Sequence, residues 1–200
     1  MPYEFKTDPQ TGRFVIRLES ENFIARTVEI EDVSERWAGW LNDPVAAMML
    51  NARPRSFTLD ELRDYVRSFD QINRILGVML ERRTGQLIGI SIVEFEPGRR
   101  RARPSVLIGE PEFRSMGFLQ EMEQVSYEMY FDAFKVDAIF SNVLAHNAIS
   151  IAFNESRGWK LTHRLVGAKK SASTGEPIDV LVYEFTREMW EARKSASQKA

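Results

Sequence analysis

The chain contains no cysteine. That excludes a disulfide framework, a thiolate metal site and a cysteine nucleophile. Histidine is scarce as well, with only His146 and His163, too few for a histidine-rich zinc site. No stretch approaches the roughly 20 apolar residues that span a bilayer. The N-terminal MPYEFKTDPQTGRF is polar and lacks the apolar run of a signal peptide. An excess of one charge is also missing, since 27 Lys and Arg stand against 29 Asp and Glu for a net charge of −2. A balance this even gives no electrostatic reason to expect nucleic acid or a membrane surface as the partner. What remains is 44% hydrophobic content in 200 residues, enough for one substantial core. The expectation is a soluble, cytoplasmic, mixed α/β protein with one domain.

Periodicity divides that domain into elements. Phe14 to Leu18 and Phe23 to Val28 read as short strands. Trp37, Trp40 and Leu41 share one helical face, which Asn42, Asp43 and Pro44 interrupt. Thr58 and Glu61 form a capping-box pattern ahead of Leu59, Leu62, Val66 and Phe69, so a helix is predicted to about Asp70. Ile75 to Leu80 and Leu87 to Phe95 are apolar runs joined by a turn at Arg83-Thr84-Gly85. A strand over Ser105 to Ile108, a helix over 116–133, a strand over Val136 to Val143 and a helix over Asn147 to Arg157 follow. Strands over Trp159 to Val166 and Asp179 to Phe185 complete the order. The β-α-β-α-β stretch in the middle implies parallel neighbours there, within a sheet that is antiparallel at both ends.

The chemistry concentrates in residues 105–124. A strand ends at Gly109, a link containing Pro111 follows, and Arg114-Ser115-Met116-Gly117 opens a helix. Such an arrangement aims backbone N–H groups and a helix N-terminus at one point, as a pyrophosphate requires. Gly117 would let the backbone approach without a Cβ in the way, and Arg114 could add a charge-assisted contact.

The string Ile108, Gly109, Pro111, Phe113, Arg114, Gly117 resembles the acyl-CoA motif of GNAT acetyltransferases. About 30 residues later, Asn147-Ala148-Ile149-Ser150 followed by Glu155, Gly158 and Trp159 is similar to the family's second signature. Ala25-Arg26, Trp40 to Pro44 and the Thr58 helix are similar to the branch holding ribosomal-protein N-terminal acetyltransferases and many small-amine acetyltransferases.

The resemblance implies a GNAT fold of the α/β (α+β) class. Its mixed central sheet would have about seven strands, with helices on both faces and a splayed parallel pair at the cofactor site. The domain would span 21–187, behind an extension at 1–20 that can add a strand and ahead of a polar tail at 188–200, whose last stretch, ARKSASQKA, is expected to fray. The resemblance also implies acetyl-CoA as co-substrate and a primary amine as acceptor: a small molecule, an amino sugar or a protein N-terminus. A homodimer is compatible with it.

Cofactor binding falls on Leu107, Ile108 and Gly109 for the pantetheine arm. Arg114, Ser115, Met116, Gly117, Phe118 and Leu119 would hold the pyrophosphate, and Asn147 would brace the arm. Leu119 stands where Gly or Ala is usual, and its spacing with Met122 and Val125 turns it toward the sheet. Asn154 replaces a tyrosine acid and Asn142 a glutamate base, and an amide titrates nothing near pH 7. The candidate catalytic residues are therefore Glu94 or its neighbour Glu96 as a base through water, Ser150 as a donor to the thiolate, and Asn142 by position. Glu110, Tyr127 and His146 are further candidates, while His163 and the run Arg99, Arg100, Arg101, Arg103 read as structural or solvated. The missing acid and base keep a second reading open, a non-catalytic acyl-CoA-binding module.

Overall fold

The computed structural model describes residues 3–53, 55–114 and 117–197. One sheet of nine strands organises them, in the order β1-β2-β3-β4-β5-β6-β7-β9-β8. The strands are β1 (Tyr3–Thr7), β2 (Phe14–Glu19), β3 (Phe23–Thr27), β4 (Arg74–Glu81), β5 (Leu87–Phe95), β6 (Arg101–Ile108), β7 (Ala138–Leu144), β8 (Lys160–Lys170) and β9 (Pro177–Thr186). The helices are α1 (Glu35–Trp40), α2 (Pro44–Met49), α3 (Leu59–Arg67), α4 (Gly117–Glu128), α5 (Ala148–Ser156) and α6 (Arg187–Ser197). A π-helical turn, Met129–Ala133, carries α4 onward, so the expected helix over 116–133 is real but changes its winding. Thr58 and Glu61 cap α3 reciprocally, as their spacing required.

The strand count exceeds the expected seven, and both chain ends account for differences. Residues 3–19 form a hairpin closed by Asp8 N–H donating to the Arg13 carbonyl (2.8 Å), and it lengthens the sheet beyond β3. The C-terminal segment does not fray through residue 197. It folds as α6, because Trp190 is completely buried against Phe131 and Tyr127, a burial that outweighs the polarity of its neighbours. Parallel pairing is also narrower than expected. Among the described residues only β6 and β7 are parallel, and β8 pairs antiparallel with β9 rather than lying beside β7.

The two faces of the sheet carry separate cores. On one, Phe118, Met122 and Val125 of α4 and Trp190 of α6 pack on Ile75, Met79, Ile88 and Ala102. On the other, Trp37 and Trp40 of α1 and Leu62 and Val66 of α3 pack on Leu76, Val78 and Ile90.

The β6–β7 ladder stops after Arg101↔Ala138 and Ala102↔Ile139, and hydrogen-bond phase explains why. Glu96 N–H donates to the Arg101 carbonyl (3.0 Å) and Gly109 N–H to the Ile88 carbonyl (2.9 Å), at the two ends of an unbroken β5–β6 register. Odd-numbered residues of β6 therefore bond β5, and even-numbered residues face β7. Accordingly the Arg100 carbonyl accepts from Asp137 N–H at 2.7 Å on the β7 side. The next rung toward β7 requires an N–H at position 104, and Pro104 has none. The strands part there, and the sheet opens in its middle.

Replacing Pro104 with alanine supplies the missing donor. Hydrogen exchange should then find the amide of residue 104 slowed by at least about tenfold relative to that of Val106, equivalent to about 1.4 kcal/mol. Equal exchange at the two positions would mean that strand twist, not the proline, holds the gap open.

Candidate active site

A cavity of about 790 Å³ occupies the gap between β6 and β7 and continues beneath α4. That is within the range of roughly 300–1,000 Å³ usual for ligand sites. Its walls are apolar on the α4 side, with Met79, Leu119 and Met122, and more polar toward Ser141, Asn142 and Lys169.

Backbone polarity is concentrated at the gap. By the phase described above, the main-chain groups of Val106 and the N–H of Ile108 face the opening. Leu107 and Gly109 instead turn theirs to Ile90 and Ile88 of β5. On the far side, Ala145 N–H donates to the Asp179 carbonyl (3.0 Å), which commits odd-numbered residues of β7 to β9 and turns Asn142 and Leu144 toward the gap. None of the three expected arm-binding residues, Leu107, Ile108 and Gly109, is in the cavity wall; by phase the Ile108 N–H turns to the β7 side, and Val106, two residues earlier, does line the wall. Sequence reading missed Val106, whose signal was its even spacing from the proline at 104.

The end of β6 is fixed by packing. The indole of Trp40 lies where a Cβ on Gly109 would fall, with Cδ2 only 1.9 Å from that position, so no other residue fits there. Trp40 Nε1 donates to Glu110 (2.9 Å), and Glu110 also pairs with Arg36 (2.9 Å). Glu110 thus ties α1 to the strand end.

Arg114 is engaged by protein groups. Its guanidinium donates to the carbonyls of Ile108 (3.2 Å) and Gly109 (2.9 Å) and forms an ion pair with Asp43 at the start of α2. The Arg114 guanidinium, together with the Val45 N–H, holds the Asp43 carboxyl below the usual carboxylate range. Arg114 therefore shapes the turn into α4 from behind.

Ser115 and Met116 lie outside the described residues. Gly117 is the exposed first residue of α4. Phe118 is buried, with its ring set edge-on against Phe23 at 5.0 Å between centroids. Leu119 both packs on the core beside Met122 and borders the cavity. Asn147 caps α5, its Oδ1 accepting from Ser150 N–H at 3.1 Å. Asn147, Ser150 and Asn142 all line the cavity, with Asn142 exposed.

The carboxylates stand elsewhere. Glu94 is not part of the cavity wall, and Arg103 and Arg74 hold it. Glu96 pairs with Arg101. His146 and His163 are exposed and outside the wall. Tyr127 does border the cavity, but its hydroxyl accepts from Trp159 Nε1 (2.7 Å), and burial, reinforced by the charge of Glu123, pushes it far above the usual phenol range. The carboxylate in the wall, Glu123, is paired with Arg193 (3.2 Å) and Arg157 (3.7 Å). Asn154 is buried in the wall, and its Nδ2 has no hydrogen-bond partner among the described residues.

The family model described as acetyltransferase (GNAT) domain matches residues 22–160. No curated protein matches the chain by sequence. Among solved structures, a spermidine N-acetyltransferase from Vibrio cholerae in complex with CoA and spermine aligns with a TM-score of 0.72 at 19% identity, over 84% of this chain and 98% of that one. A ribosomal-protein-S5-alanine acetyltransferase from Vibrio fischeri aligns with a TM-score of 0.72 at 14% identity, over 87% and 98%. A GNAT-family acetyltransferase from Bacillus anthracis aligns with a TM-score of 0.72 at 16% identity, over 86% and 99%. At these identities the likeness establishes a shared fold. The family match covers well over half of the sequence, from just before β3 to the first residue of β8, so the chain belongs to the GNAT acetyltransferase family.

Proposed function

We propose that the protein is an N-acetyltransferase that moves an acetyl group from acetyl-CoA to a primary amine by direct attack. The observation that carries this reading is the interrupted sheet between β6 and β7, where the β6 edge beyond Ala102 has no β7 partner and Val106, Asn142 and Leu144 line a cavity. Backbone groups left without a strand partner can be completed by a ligand, and an amide-bearing arm laid along β6 would supply the bonds. The N-terminal turn of α4, beginning at Gly117, would face the pyrophosphate with free N–H groups. Acetyl-CoA supplies an activated thioester.

The residues at hand favour positioning over proton transfer. As the amine nitrogen bonds to the acyl carbon, the carbon–sulfur bond breaks and sulfur takes the electron pair. The amine's surplus proton passes to solvent, and CoA leaves as thiolate. A neutral donor suffices to stabilise that sulfur, and the unpartnered Nδ2 of Asn154 in the wall fits the task. No base is needed if the amine arrives uncharged. Leu119 is compatible with this arrangement, because its backbone N–H serves whatever its side chain does. A second reading, cofactor binding without transfer, draws on Asn142 and Asn154 standing where a titrating pair would be expected. Release of CoA thiol across an amine panel decides between them, and a chain without cysteine adds no background to the thiol signal.

Three outcomes are expected. Gly117→Asp places a carboxylate at the start of α4 and should weaken acetyl-CoA binding at least tenfold, about 1.4 kcal/mol. Unchanged affinity in the folded variant would remove the loop from the site.

For Arg114 the expectation is structural. A double-mutant cycle of Arg114→Ala and Asp43→Ala, followed by chemical denaturation, should yield a coupling of about 0.5–3 kcal/mol. Additive losses of stability, with a selective loss of acetyl-CoA affinity in Arg114→Ala, would return Arg114 to the phosphate.

The pH profile of kcat/KM should rise with the deprotonation of the acceptor, toward a pKa near that of a free amine, about 10. Tyr127→Phe should leave this profile in place, because the Tyr127 hydroxyl stays protonated throughout. A break that vanishes in Tyr127→Phe would make the tyrosine the acid.

A further inference from the structure

A second, smaller cavity of about 230 Å³ lies on the α1/α3 face of the sheet. Its walls are Trp37, Leu41, Phe57, Leu62, Tyr65 and the sheet residues Ile90, Ile92 and Leu107. Leu50, Ser105 and Val106 border it and also border the large cavity between β6 and β7. The two spaces therefore share a wall at Ser105 and Val106 of β6, and Leu50, nearly half exposed, borders both.

The occupant must match the walls. Three of the wall side chains are aromatic, and no charged side chain lines this pocket among the described residues. Its volume suits one ring. An aromatic ring held between aromatic faces gains both burial and ring–ring contact. A polycation has no comparable support, because the carboxylate in the wall of the larger cavity, Glu123, is engaged by two arginines. The remaining charged side chains of that wall, Arg26, Arg103 and Lys169, are basic.

We propose that the acceptor is a primary amine bearing a single aromatic ring on a short linker. The ring would occupy the pocket between α1, α3 and the sheet, and the amine would emerge beside Ser105 and Val106. This rests on the transferase reading above. It distinguishes the chain from a polyamine acetyltransferase despite the shared fold.

The test measures CoA thiol release with 2-phenylethylamine, n-butylamine and spermidine as probes. Expected is a kcat/KM for 2-phenylethylamine at least tenfold above that for butylamine and for spermidine. Leu41→Trp, which fills the pocket, should bring the ratio of phenylethylamine to butylamine near one. Should that variant fail to fold, 2-phenylethanol on the unmodified protein gives the second measurement, and it should compete with 2-phenylethylamine. Butylamine or spermidine turned over as well as the aryl amine, an unchanged ratio in the folded variant, or no competition by the alcohol would overturn the aromatic acceptor and leave the transferase standing. Absence of thiol release with every amine, in a protein that binds acetyl-CoA, would instead overturn the transferase reading, and the acceptor proposal with it.

Discussion

A missing hydrogen-bond donor at Pro104 governs the central part of this molecule. Either rung that could follow Ala102↔Ile139 draws on the N–H of residue 104, so the parallel ladder ends where the proline begins. Everything around the gap follows from that interruption. Val106 and Ile108 keep their pairing with β5, which leaves their other edge without a partner inside the sheet. Asn142 and Leu144 face the same space from β7. A nine-stranded sheet thereby acquires two internal edges, and an unpaired internal edge is costly to bury unless a ligand completes it.

The geometry of the gap is held by contacts from behind. Trp40 fills the space a side chain at 109 would take. Glu110 gathers Trp40 and Arg36. Arg114 binds the two final carbonyls of the strand region and Asp43. Charged residues near the motif thus serve the scaffold, and the groups left to meet a substrate are mostly backbone amides and neutral side chains. On the proposed reading, such a site would act by orientation and by preorganised dipoles rather than by titration.

Local patterns made much of this legible in the sequence. The strand, loop and helix around Gly109 and Gly117 and the Asn147 to Trp159 signature rest on short-range spacing, and the elements they imply are present as β6, α4, α5 and the start of β8. Long-range choices were not legible. Nothing near Arg114 in the sequence announces its ion pair with Asp43, which comes from a distant turn. Glu94 reads as a free base until its strand neighbours Arg74 and Arg103 are known. The phase that selects Val106 and Ile108 over Leu107 depends on register with β5, which single-strand periodicity does not encode. Polar composition concealed α6, whose one decisive residue is Trp190. The strand count rose because the N-terminal segment pairs as a complete hairpin.

If the ladder that ends at Pro104 opens the channel for the cofactor, acetyl-CoA must lie in the gap it leaves. A crystal structure of the protein with acetyl-CoA tests it most directly. The account predicts the pantetheine arm between β6 and β7, with its amide groups within about 3 Å of the main-chain groups of Val106 and Ile108 and the thioester between Asn142 and Asn154. An arm lying outside this gap, or β6 and β7 zipped together past residue 104 with the ligand elsewhere, would contradict it.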